Sequence, residues 1–270
     1  MTLPPLSAEP IFYLGSFPVT NTMINSLIAL GFFLVIGLLL RRSCREQPGK
    51  LQNFAEGALE FLFKYFDQVT GSREKTLRFL PIVGSLFFFI LFSNWLGLLP
   101  GIGSIGIWEV KHGVREFIPL FRPAATDLNT TLAMAVLGVV VSHIVGIMTI
   151  GFFRYANKFI KLGSLWQAIR SFNPTKILVA VIELFVGLIE VISEAAKVLS
   201  LSLRLFGNIF AGEVLLTVMG TLMAFIVPLP FMMLELIVGV VQATVFSMLV
   251  LVYLTVATME VHATLTQFHL

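Results

Sequence analysis

Three observations predict an all-α, polytopic membrane protein. It would have about five membrane-embedded helices, the last two forming a long, strongly tilted hairpin, and one amphipathic surface helix. First, the 270-residue chain is 57% hydrophobic and 12% charged, with a mean hydropathy of +0.94. Soluble domains carry about 25% charged residues, so this supply could not cover a water-facing surface. Second, the apolar residues fall in runs long enough to cross a bilayer core, which takes about 20 residues. Third, of 18 lysines and arginines only Lys197 and Arg204 lie inside apolar sequence. The composition excludes a soluble enzyme, a secreted disulfide domain and a disordered tail. The one cysteine, Cys44, excludes an internal disulfide and a cysteine-based metal cluster.

The first 20 residues carry Glu9, four prolines and no basic residue, and the run 22–40 ends at Arg41-Arg42. This is the pattern of an anchor inserted N-terminus out rather than of a cleaved signal peptide. Residues 50–71 place Phe54, Ala58, Phe61, Leu62 and Tyr65 on one helical face, with Glu56, Glu60, Lys64 and Asp67 mostly elsewhere. They read as an amphipathic helix on the cytoplasmic surface. Residues 79–99 form the next span, followed by a Gly-rich turn from Gly101 to Gly106, and 128–150 form the third. The G-x-G in that turn follows no strand and has no phosphate-loop lysine, so it carries no nucleotide signal.

Asn173 and Pro174 predict an N-cap and first helical position. The apolar pattern then runs from about 175 to 226, roughly 75 Å of helix against about 30 Å of hydrocarbon. It must tilt, bend or break, with Gly207, Gly212 and Gly220 as bend sites. The sequence Val227-Pro228-Leu229-Pro230 reads as a stop, and a second long helix follows over about 231–262. The C-terminal hairpin is thus 175–262, and the chain is a single membrane domain.

Eight basic residues lie in 41–78, three in 100–127 and five in 151–176. Lysine and arginine mark cytoplasmic loops. The first and third segments are therefore expected in the cytoplasm and the second outside, with the N-terminus external and the C-terminus cytoplasmic. No transit peptide is apparent, which favours a bacterial plasma membrane over an organellar one.

Past Lys176 at the entrance, the last two helices carry Glu183, Glu190, Glu194, Lys197, Arg204, Glu213, Glu235 and Glu260. A charge at the bilayer centre costs at least about 2.5–3.5 kcal/mol, so such residues pair or line a polar path. Glu183, Glu190, Lys197 and Arg204 are spaced by seven and share a stripe. Glu190 and Lys197 are expected to neutralise each other. Arg204 stands among leucines, and its guanidinium cannot deprotonate. Glu190 and Glu194 lie roughly 21 and 15 Å away along a straight helix, too far for contact. A partner must come from another helix or chain. Asn208 shares the Arg204 face, whereas Glu213 faces the opposite way. On the last helix Glu235 and Gln242 share a face. The turn brings Glu213 and Glu235 towards each other, where two carboxylates can share a proton.

LSLSLRLFGNIFAGEVLL (199–216) resembles the signature of the a subunit of the membrane (Fo) sector of rotary F-type ATP synthases. FPVTNTMINS (17–26), NWLGLLPG (94–101), DLNTTLAM (127–134), the VPLP turn and VQATVFSMLVLVYL (241–254) fit the same family. The resemblance implies a non-catalytic, proton-translocating stator subunit that offers two offset half-channels to the c-ring carboxylates. Its implied partners are the c-subunit ring, the peripheral-stalk b subunits, the rest of the ATP synthase complex and the lipid membrane, with no nucleic acid, cofactor or metal. By the same resemblance Arg204 faces the ring carboxylates and Gln242 opposes it from the last helix. Glu213 matches the protonatable residue of the external half-channel, Asp127 an acidic position at its mouth, and Glu190 an acidic position towards the cytoplasmic exit. Asn208 is a motif asparagine. Family members vary at Glu235, and glutamate at both 213 and 235 leaves open how the inlet shares its protons.

Three other classes compete. A secondary transporter often shows an internal repeat, and none is found. An intramembrane enzyme would need a zinc pair or an activated nucleophile, and His112, His143, His262 and His269 form no H-E-x-x-H. A structural scaffold leaves Arg204 unexplained.

Overall fold

A computed structural model describes residues 4–43, 49–99, 101, 105–111, 114–159, 174–223 and 227–266. Cys44, Asn173 and part of the Gly101–Gly106 turn lie outside these residues. Among the described residues seven helices dominate: α1 (Asn21–Ser43), α2 (Lys50–Thr70), α3 (Arg73–Leu98), α4 (Leu128–Ile150), α5 (Phe152–Phe159), α6 (Pro174–Leu222) and α7 (Pro228–Thr266). Among the described residues four helices are long and apolar enough to cross a membrane: α1, α3, α4 and the 228–258 part of α7. The 49-residue α6 is one continuous helix, roughly 74 Å long. It does not break at Gly207, Gly212 or Gly220.

Four boundaries or faces differ from the sequence reading. The span expected at 79 begins at Arg73, because the Ser72 hydroxyl caps it by accepting from the Lys75 N–H at 3.3 Å. The VPLP segment does not only stop a helix. Pro228 and Pro230 stand in the first turn of α7, where a missing N–H costs nothing. Helix α2 turns Leu62, Phe66 and Thr70 inward and leaves Phe54 and Phe61 exposed. The expected apolar face is therefore split, since packing against α3 selects the Leu62–Phe66 side. Finally, the chain outside the spans is not all loop. Strands β1 (Pro10–Leu14) and β2 (Phe17–Thr20) form one antiparallel hairpin, with Leu14 opposite Phe17. Strands β3 (Gly106–Lys111) and β4 (Val114–Pro119) form another, with Gly106 opposite Pro119. Both are rich in aromatic and β-branched residues, which suit a pleated surface.

The chain divides into two compact units, residues 1–134 with 202–251 and residues 135–201 with 252–270. In the first, α1 packs on α3 through Phe32 stacked on Phe92 at 4.1 Å, with Phe33 edge-on to the same ring. Val83, Phe87 and Ile90 of α3 are buried with Leu62 and Phe66 of α2. A 3-10 turn, Ala124–Thr126, packs beneath α1 and α3. Gly97 is required there, because a Cβ would run into the Pro123 ring. Helix α7 joins through Trp95, whose Nε1–H donates to the Leu236 carbonyl at 3.1 Å.

In the second unit Gly151, at φ 91°, turns the chain from α4 into α5. The ring of Tyr155 lies against Gly146, and its hydroxyl meets His143 Nδ1. Leucines, isoleucines and valines point outward along α1 and the first half of α6. Such a surface suits contact with lipid tails.

Candidate functional site

The outer face of α6 follows helical periodicity. Leu199, Leu203, Arg204, Gly207, Asn208 and Ala211 are exposed, whereas Leu201, Ser202, Leu205, Ile209 and Gly212 are buried. Steps of three and four residues make the exposed set one stripe. A permanently charged guanidinium thus stands on an open face flanked by leucine and glycine. One turn along, Asn208 Nδ2–H donates to Gln242 Oε1 at 2.7 Å. Gln242 is buried on α7, so it backs the stripe and orients Asn208.

Glu213 leaves that stripe and points to Arg122. The Arg122 Nε–H donates to Glu213 Oε1 at 2.8 Å, and one Nη–H donates to Oε2 at 2.8 Å. This is a bidentate fork, the strongest arrangement open to the two groups. Arg122 is 2% exposed. Two of its three remaining N–H groups donate to the backbone of the N-terminal segment, at the Pro5 carbonyl (2.8 Å) and the Ser7 carbonyl (3.4 Å). Its own carbonyl accepts from Asn25 Nδ2–H at 2.8 Å, and the same amide donates to Ser93 O at 3.0 Å. One α1 asparagine therefore ties α1, α3 and the Arg122 segment together. Removing one partner of a buried pair costs about 3–5 kcal/mol, so the pair is an obligatory unit of this fold.

Glu235 is 5% exposed, and among the described residues no group hydrogen-bonds or ion-pairs with it. Its carboxylate lies against Gly212, where an added Cβ would collide with it. Glu213 and Glu235 are therefore neighbouring carboxylates with different surroundings: both oxygens of Glu213 are held by a cation, and Glu235 rests on bare backbone.

Asp127 is buried and caps α4, with Oδ1 accepting from the Asn129 N–H at 3.0 Å and Oδ2 from the Thr22 hydroxyl at 3.3 Å. Glu190 is partly buried on α6, within the second unit. The pairing expected between Glu190 and Lys197 is replaced by another. Lys197 Nζ meets Glu194 Oε1 at 2.7 Å, and Glu194 also faces His143 Nε2 at 3.6 Å. A separation of three residues puts lysine and glutamate on adjoining turns, closer than a separation of seven.

Sequence reasoning missed Arg122, counting it only as an external loop cation. It also missed the anchoring role of Asn25. The available signal was an arginine inside apolar and proline-rich sequence, FRPAAT, five residues before an acidic N-cap.

Membrane-crossing helices with a charged stripe on one face and an internal ion pair define an ion-handling membrane protein. The family profile described as ATP synthase A chain matches residues 22–255. ATP synthase subunit a from Moorella thermoacetica is 31% identical over 244 residues, covering 90% of this chain and 93% of that protein. ATP synthase subunit a 2 from Syntrophotalea carbinolica is 32% identical over 257 residues, covering 95% and 92%. Subunit a from Geotalea daltonii is 33% identical over 236 residues, covering 87% and 86%. The chain belongs to the ATP synthase A chain family: it is a multi-pass membrane protein of the F-type ATP synthase complex, and its function is that of the proton-translocating Fo stator subunit. The transporter alternative is not favoured.

Proposed function

We propose that this subunit carries two offset half-channels that meet a ring of c subunits along the exposed α6 stripe, with peripheral-stalk b subunits anchoring it and the ATP chemistry held in other subunits. The exposed Arg204 on that stripe carries the reading. A proton arriving from outside passes Asp127 to the place where the inlet carboxylates, Glu213 and Glu235, lie side by side, and goes from there to a rotor carboxylate. Neutralised, that carboxylate turns into lipid at low cost. After nearly a full turn it meets Arg204, which favours its ionised form, and the proton leaves past Glu190 to the cytoplasm. Asn208 and Gln242 hold the stripe in shape beside the arginine. The fixed cation also blocks direct passage between the half-channels. Each charge crossing about 100 mV supplies about 2.3 kcal/mol, so several are needed per ATP.

The test uses stripped membrane vesicles and a pH-sensitive dye. Arg204→Ala should insert normally, because losing a charge lowers insertion cost, yet ATP-driven acidification should fall below about a tenth of wild type. Passive proton leak should persist or rise. Near-normal pumping would return Arg204 to a structural role. We further propose a bacterial plasma membrane, the N-terminus outside and the C-terminus in the cytoplasm, from the bias of basic residues. In a Cys44→Ser background, an impermeant thiol reagent should reach Ser72→Cys from the cytoplasmic side and Leu99→Cys from outside. The reverse pattern would invert the topology.

A further inference from the structure

We infer that Arg122 is a positioning residue that locks Glu213 as a permanent carboxylate, so that Glu235 alone of the two inlet acids accepts and delivers the proton. The inference rests on the half-channel reading and assigns the work within it. A guanidinium keeps its proton under all conditions a protein meets. Its Nε and Nη donors hold both Glu213 oxygens at 2.8 to 3.0 Å, and two more of its N–H groups donate to the Pro5 and Ser7 carbonyls. The Asn25 amide fixes the Arg122 backbone to α1 and α3. Protonating Glu213 would require breaking the fork and leaving a buried cation without its counter-charge.

Among the described residues no cation pairs with Glu235, and its carboxylate sits against Gly212, one residue from the clamp. The step balances as a single proton transfer. Glu235 takes a proton from the aqueous inlet, gives it to a rotor carboxylate and regains its own charge, with no bond other than O–H made or broken. Glu213 meanwhile supplies a fixed dipole with Arg122, which orders the wall beside Glu235.

A charge-deletion cycle tests this in ATP-driven vesicle pumping. Arg122→Gln and Glu213→Gln should each lose at least about tenfold, because each leaves one buried charge unpaired. The double variant removes both charges and should recover to within about threefold of wild type, the non-additivity expected of a coupled pair. Adding Glu235→Gln should abolish that recovery. A double variant that assembles yet pumps no better than Glu213→Gln would overturn the assignment.

A second measurement needs no substitution. In the intact complex, dicyclohexylcarbodiimide attacks protonated carboxyls in apolar surroundings, and peptide mass spectrometry locates the adducts. Within this chain the adduct should fall on Glu235, with Glu213 becoming reactive only in Arg122→Gln. Labelling of Glu213 equal to or above Glu235 in the unmodified complex would overturn the proposal. Arg204→Ala, run in the same membranes, separates the two failures. If it still pumps, the half-channel reading falls. If it does not, only the division between Glu213 and Glu235 is lost.

Discussion

Two arginines of this chain show how far surroundings decide what one side chain does. Arg204 stands exposed on α6, on a stripe with Asn208 and Gly207, and Arg122 is 2% exposed inside a fork to Glu213. Both guanidiniums are permanently charged. On the exposed face the charge stands where, in the proposed mechanism, a carboxylate of another chain would meet it. In the interior it is already spent on an internal one, and its role becomes architectural. An intramembrane ionisable residue is therefore not by itself a transport residue. The partner within reach decides.

The sharpest way to break this comparison is to delete each charge and measure stability. Arg122→Ala should destabilise the purified subunit by about 3–5 kcal/mol, through the lone Glu213 carboxylate it leaves. Arg204→Ala should change stability by no more than about 0.5 kcal/mol, as surface substitutions do. Denaturant melts of detergent-purified protein would read both, and equal losses would erase the distinction.

Gly212→Ala tests the packing that separates Glu213 from Glu235. The new methyl meets the Glu235 carboxylate, so α6 and α7 must shift or Glu235 must swing away. Such overpacking costs about 1–3 kcal/mol, and proton pumping should fall with normal amounts of protein in the membrane. Unchanged pumping would show that the Glu235 position is not critical.

Asn25→Ala removes the donor shared by Ser93 O and Arg122 O, at about 1–2 kcal/mol for the two bonds. It should also weaken the clamp, so Glu213 should gain carbodiimide reactivity relative to the parent. No gain would confine Asn25 to helix packing.

The smallest effect lies outside the spans. The neighbouring Thr76 hydroxyl, and after the opposing pull of burial the Arg73 guanidinium, hold Asp67 below its ordinary value of 3.8. A depressed carboxyl stabilises the fold above that ordinary value, and the contribution disappears as pH falls through the lower folded one. Asp67 and Arg73 are 34% and 52% exposed, so screening keeps the pair within about 1 kcal/mol. Asp67→Asn should therefore melt slightly earlier than wild type at pH 6, with the gap closing towards pH 3. A gap that widens on acidification would reverse the sign.

What the sequence determined by itself was local or imposed by the bilayer. The expected spans 22–40 and 128–150 are found as α1 and α4 within a few residues, because hydrocarbon thickness dictates the length of an apolar run. The stripe shared by Arg204 and Asn208 follows from a step of one helical turn, which any regular helix must place on one face. Ser72 and the two prolines of VPLP were also local signals, but their helix-starting role was not read from them. Tertiary structure decided everything that depends on partners far apart in the chain. Arg122 and Glu213 are 91 residues apart, and Asn25 reaches Arg122 across 97. No periodicity relates residues at such separations, and net charge places both cations of the comparison in the same class. The buried face of α2, the small hairpins and the contact of Glu235 with Gly212 likewise come from which surfaces meet. Where a buried charge is paired, as Glu213 is, the fold decides which counter-charge comes within hydrogen-bonding distance, and only the folded chain says which one that is.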